Sequence, residues 1–183
     1  MTIHARRAVV GVAIAAVLAT AACTNPEAPS ATTTAPPPTA TPTAMTSSTT
    51  AADPQLAGAE AAVARLWGLV DALGADPKRS LDELTTVARD QSLETWRELL
   101  TQRRRQGHRQ IGSTTIVSSE AASTGGKLTV DTCIDVSKTN LVDKDGKSVV
   151  AANRSPRVRY TFVVERGTDG AFYVIKDEAV ETC

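Results

Sequence analysis

The side chains able to do chemistry in this 183-residue chain are few and widely spaced. Cysteines stand at Cys23, Cys133 and Cys183, an odd number. The two histidines are His4, near the N-terminus ahead of Arg6 and Arg7, and His108, which excludes a multi-histidine metal centre. Among the ionisable side chains of the C-terminal half are Asp131, Asp135, Tyr160 and Asp177. Alternation along Lys127–Val136 places Asp131 and Asp135 with Lys127, opposite the apolar row, on the solvent side. Asp143-Lys144-Asp145-Gly146 resembles a calcium loop only in part. That loop would need a ligand at Leu141 and a glutamate at Ala152, so the stretch is expected to be a polar hairpin loop. Asn153-Arg154-Ser155 matches a glycosylation sequon. The chain has no phosphate loop, no G-x-S-x-G and no Cys/His pair placed for nucleophilic catalysis. No cofactor, no metal and no catalytic residue is therefore assigned.

Twenty basic residues balance twenty acidic ones. The balance persists beyond residue 54, because the preceding stretch holds two of each: Arg6 and Arg7, Glu27 and Asp53. A neutral domain argues against nucleic acid as partner. All six aromatic side chains fall after residue 54, so Ala, Val, Leu and Ile must supply most of the core.

The elements that position these groups follow from periodicity. Leu56, Ala59, Val63, Leu66, Trp67, Val70 and Leu73 recur at helical spacing, with Glu60, Arg65 and Asp71 off that face and Gly74 as the stop. Ser80-Leu81-Asp82-Glu83 reads as a capping box for a short helix through Val87. Asp90 or Ser92 is expected to cap a third helix that carries Leu93, Trp96, Leu99 and Leu100 inward and ends at Gly107. Its terminal Arg103-Arg104-Arg105 suits the negative end of the helix dipole and is expected to be solvated. Beyond Gly107 the period becomes two. Strands are predicted over Ile111–Ala121, Lys127–Val136, Arg157–Glu165 and Ala171–Lys176. Thr124-Gly125-Gly126 joins the first two and Gly167-Thr168-Asp169-Gly170 the last two. Val158, Tyr160, Phe162 and Val164 should face inward.

The N-terminal 54 residues read as targeting and linker sequence. Arg6 and Arg7 precede an apolar segment, Ala8–Ala22, too short to span a membrane, which ends in Leu18-Ala19-Thr20-Ala21-Ala22-Cys23. That junction resembles the lipobox of bacterial lipoproteins, which implies lipidation of Cys23 and anchoring to the extracytoplasmic face of the cell membrane. Ala19-Thr20-Ala21 also matches an ordinary signal-peptidase site that would release a soluble protein. The domain plan is thus 1–22 signal peptide, 23–54 lipidated cysteine and Thr/Pro-rich disordered linker, and 55–183 globular domain. A linker of polyproline geometry reaches on the order of 90 Å at ~3.1 Å per residue. Lipidation of Cys23 leaves Cys133 and Cys183 as an even pair, predicted to form a disulfide in an oxidising compartment, the alternative being a free thiol at Cys133.

Three helices followed by about four antiparallel strands make an α+β domain in which a curved sheet wraps the first helix. The order resembles the nuclear-transport-factor-2-like cone shared by ketosteroid isomerase and SnoaL-type cyclases. More narrowly, Thr132-Cys133-Ile134-Asp135-Val136, Val142-Asp143-Lys144-Asp145-Gly146-Lys147 and a last strand running into Cys183 resemble small exported actinobacterial lipoproteins of that superfamily. The resemblance implies a pocket in the cone, for which Trp67, Trp96, Tyr160 and Asp177 are the candidate residues. The expected function is a non-catalytic binding or accessory role at the cell envelope, with an envelope protein or a small apolar ligand as partner. Phage-derived lipoproteins share this layout. The alternative is a SnoaL- or ketosteroid-isomerase-like enzyme with one of the named aspartates as base.

Overall fold

The computed structural model describes residues 53–183. The predicted signal segment, Cys23 and the predicted linker up to residue 52 lie outside the described residues. Asp53 and Pro54 open the first helix. Pro54 lacks an amide hydrogen where none is needed, and the Asp53 carboxylate accepts from the Gln55 backbone amide at 2.8 Å. Helix α1 (Pro54–Ala75) buries Ala59, Ala62, Val63, Leu66, Trp67, Val70 and Leu73. Gly74 does not end it. The glycine sits inside the last turn, buried, where a Cβ would press on the Gln110 side chain at 3.0 Å.

The expected second helix is a single 3₁₀ segment, Leu81–Thr86. The Ser80 hydroxyl accepts from the Asp82 amide at 3.2 Å, but the other half of the capping box is missing because the Glu83 carboxylate is taken by Arg79. Helix α2 (Asp90–Arg105) begins without a side-chain cap, so neither Asp90 nor Ser92 plays the expected role; Arg89 occupies the cap position and Ser92 is buried. Trp96 and Leu100 are buried, while Leu93 and Leu99 pack at the core margin.

The strand predicted over Ile111–Ala121 is two strands, β1 (Arg109–Ile111) and β2 (Thr115–Thr124). Gly112 makes the break. Its φ is +74°, and a Cβ there would collide with the Lys138 carbonyl oxygen, so the chain turns sharply where local alternation reads straight through. β1 then pairs with β4 (Asn140–Val142) in a two-stranded sheet. The main antiparallel sheet has the order β2-β3-β5-β6, with β3 at Lys127–Asp135, β5 at Arg157–Arg166 and β6 at Phe172–Glu181. Gly125-Gly126, at φ +60° and +80°, closes the β2–β3 hairpin between Thr124 and Lys127. Asp143–Gly146 is the polar turn expected: the Asp143 carboxylate accepts from the amides of Asp145 and Lys147, each at 2.9 Å.

Leu128, Val130, Thr132 and Ile134 of β3 and Phe162 and Val164 of β5 turn toward α1 and α2, and all are buried. β6 runs five residues past the predicted end at Lys176, its ladder with β5 continuing to Arg159–Glu181. Its outer edge is covered by the first turn of α2 and the segment before it. Val87 and Arg89 exchange backbone hydrogen bonds with Val174, and the Gln91 amide group both accepts from and donates to the Asp177 backbone.

Beyond Glu181 the chain doubles back behind β5. Cys183 is bonded to Cys133 of β3 on the outer face, with the Cα atoms 6.0 Å apart and β5 lying between their strands. The hydrophobic core lies wholly within the described residues, from α1 to β6. A segment that carries its own core folds independently.

Candidate binding cavity

Three aromatic side chains meet where the two helices cross the sheet. Trp67 comes from the inner row of α1, Trp96 from that of α2 and Tyr160 from that of β5. The Trp67 ring makes edge-to-face contacts with Trp96 at 5.3 Å and Tyr160 at 5.2 Å, and Tyr160 stacks on Phe162 at 5.7 Å. Such pairs contribute about 0.5–1.5 kcal/mol each beyond burial. They do not fill the space. A cavity of ≈320 Å³ remains beside them, walled by the three rings and by Ile134, Val136 and Val158 of the sheet side. This lies at the small end of ligand pockets.

The other wall is polar. Asp71, one position after buried Val70, turns its carboxylate to the turn after β1. It accepts from Gln110 Nε2 at 2.6 Å, from the Thr114 amide at 2.7 Å and from the Thr114 hydroxyl at 2.9 Å. Arg154 closes the far side, donating to the backbone carbonyls of Val136, at 2.8 Å, and Thr139.

Arg103 reaches the cavity from the last turn of α2. The three consecutive arginines diverge and do not share the solvated role expected of them. Arg104 donates to the Leu73 carbonyl at 3.3 Å, satisfying an orphan acceptor at the end of α1, and Arg105 is exposed. Arg103 is half-buried, and this burial lowers its pKa, opposed only by the nearby Tyr160. Among the described residues it has no acidic partner.

Of the four predicted pocket residues, Trp67, Trp96 and Tyr160 line the cavity together. Asp177 does not line it. It sits on β6 opposite Phe162, buried. Burial raises its pKa, opposed by the Ser92 hydroxyl and the Trp96 indole N–H. Those two donors influence the carboxyl without reaching bonding geometry: Ser92 Oγ, Trp96 Nε1 and Asp177 Oδ1 are all buried without a hydrogen-bond partner. Tyr160 has its pKa raised by burial and by the Asp177 charge, with Arg103 acting the other way. Asp131 and Asp135 lie on the outer face, as the alternation predicts. Asp131 accepts from the Thr161 hydroxyl at 2.6 Å, and Asp135 sits 3.7 Å from Arg157.

The cavity wall thus sets an apolar surface beside Arg103, a cation without an acidic partner among the described residues. Arg103 was legible in one respect: Leu93, Trp96, Leu100 and Arg103 continue one helical row. No sequence signal marks Asp71, Gln110 or Arg154, which meet through tertiary contacts.

No protein-family profile and no curated protein matches the chain. Solved structures do resemble it. The intermembrane space region of the chloroplast protein ARC6 superposes with a TM-score of 0.53 at 12% identity, covering 69% of this chain and 97% of that one. A protein from Catenulispora acidiphila gives a TM-score of 0.46 at 12% identity, over 70% and 91%. A de novo designed β-sheet protein gives 0.32 at 14% identity, over 70% and 87%. At such identity the first likeness concerns the fold alone, an α+β domain with antiparallel sheets.

Proposed function

We propose that this is a lipid-anchored, extracytoplasmic envelope protein whose domain, a nuclear-transport-factor-2-like cone, holds a small ligand without chemistry. The observation that carries the binding half is the open space beside Trp67, Trp96 and Tyr160. Asp71 is the one carboxylate on the cavity wall, and three donors already occupy it, which leaves no free base facing a ligand. The anchor half rests on the lipobox-like run ending at Cys23. Two acyl chains there give stable anchoring where one gives only reversible binding. No helix among the described residues is long and apolar enough to cross a membrane.

Cys23→Ala should abolish detergent-phase partitioning and leave an uncleaved precursor or a released protein. Normal maturation and partitioning of the variant would refute the anchor. For the cavity, native mass spectrometry of the protein purified from its own host should find a small-molecule adduct that collisional activation removes.

A second reading, a SnoaL- or ketosteroid-isomerase-like enzyme, is favoured by one observation: Asp177 is a buried carboxyl with an unpartnered oxygen and a raised pKa beside Trp96. Deuterium exchange into an apolar ketone, lost in Asp177→Asn, would support it over binding alone.

A further inference from the structure

We infer that the cavity takes a small amphipathic monoanion, a carboxylate on an apolar body, and that Arg103 is its charge partner. This rests on the binding reading above and adds the class of ligand. The argument begins with what the cavity wall already satisfies. Asp71 is saturated by Gln110 and Thr114, and Arg154 is committed to two backbone carbonyls. Arg104 and Arg105 point elsewhere. The remaining charge is the Arg103 guanidinium, withdrawn from water beside Tyr160 and without an acidic partner among the described residues.

A cation drawn partly out of water is stabilised by an anion that can enter, and a guanidinium matches the two oxygens of a carboxylate. The Tyr160 hydroxyl adds a second group. It makes no hydrogen bond among the described residues, and burial holds it protonated at neutral pH, so it is a donor. A single free cation selects a monoanion over a dianion. The rest of the wall, from Trp67 and Trp96 to Ile134 and Val158, suits an apolar body. At ≈320 Å³ the space fits a short chain or small ring system and not a two-chain lipid.

The test uses the segment 48–183, exported to an oxidising compartment and delipidated. Its only two tryptophans, Trp67 and Trp96, both line the cavity, so intrinsic emission reports occupancy directly. Octanoate and 1-octanol, equal in length and different in charge, are titrated at neutral pH. Octanoate should bind at least about tenfold more tightly, the factor a charge-assisted pair supplies. Arg103→Met should erase that preference, bringing the two affinities together, and Arg103→Lys should restore part of it. Equal affinities in the unmodified domain, or a preference that survives Arg103→Met, would overturn the anion assignment and leave the cavity as a neutral apolar site. If neither compound changes the emission, the binding reading itself fails, and this inference with it.

Discussion

Removing the cross-link between β3 and the end of β6 should cost this domain a large part of its stability, and Cys183→Ser isolates the effect. Cys183 is exposed, so its replacement disturbs no packing, while Cys133 stays in place as a small buried thiol. The bond joins residues separated by 50 positions. Closing such a loop removes ~14 cal/mol/K from the unfolded chain, or ~4 kcal/mol at room temperature, in the chain-entropy account. Against an unfolding entropy of ~270 cal/mol/K for a domain of this size, that corresponds to a fall of roughly 15 °C in Tm. Urea titration of the 48–183 segment, with reductant added to the variant, measures it. The extrapolated stability should fall by ~4 kcal/mol and the m-value should rise, because the released chain exposes more surface when unfolded. The unmodified domain under reductant should follow the variant. A loss under ~1 kcal/mol with an unchanged m-value would refute the reasoning: the bond would then be fastening a tail that the ladder from Arg159 to Glu181 already holds.

Two further perturbations test other parts of the fold. Because burial raises the Asp177 pKa, the folded protein holds a proton that the unfolded chain releases over the interval between the ordinary and the raised value. The associated stability is full below the ordinary carboxylate value and is lost as pH rises through the raised one. Asp177→Asn should therefore gain stability over the parent at neutral pH and lose that advantage in acid, read by urea titration at both; a pH-independent difference refutes it. Gly112→Ala should cost ~1–3 kcal/mol, from the positive φ and the collision with the Lys138 carbonyl, and a change within about 0.5 kcal/mol would refute the role given to that turn.

Much of the scaffold was legible because it is written in short repeats. The row from Ala59 to Leu73, the inward Val158, Tyr160, Phe162 and Val164, and the Gly125-Gly126 turn each depend on residues a few positions apart. Trp67, Trp96 and Tyr160 converge because each sits on the inward row of its own element, and inward rows share one core. The misses have physical causes as well. Gly74 looked like a helix stop and is a space for Gln110; Glu83 looked like half of a capping box and belongs to Arg79. For Gly74 a distant partner decided the outcome, and for Glu83 a competing neighbour four residues back did. The last strand was predicted to end at Lys176, yet it runs on to Glu181, and Gln91 holds the Asp177 backbone at the sheet edge.

By itself the sequence determined the α+β class and the inward rows, since periodicity is a property of the chain that survives without coordinates; the pairing of Cys133 with Cys183 was an expectation conditional on lipidation of Cys23, and the structure joins the two. Only the tertiary structure decided that Arg103 turns into an aromatic cavity while Asp177 is buried beside it and not in it. The reason is physical. Periodicity says which face of an element is buried, but the charge a buried face confronts depends on the elements packed against it, and those come from distant parts of the chain.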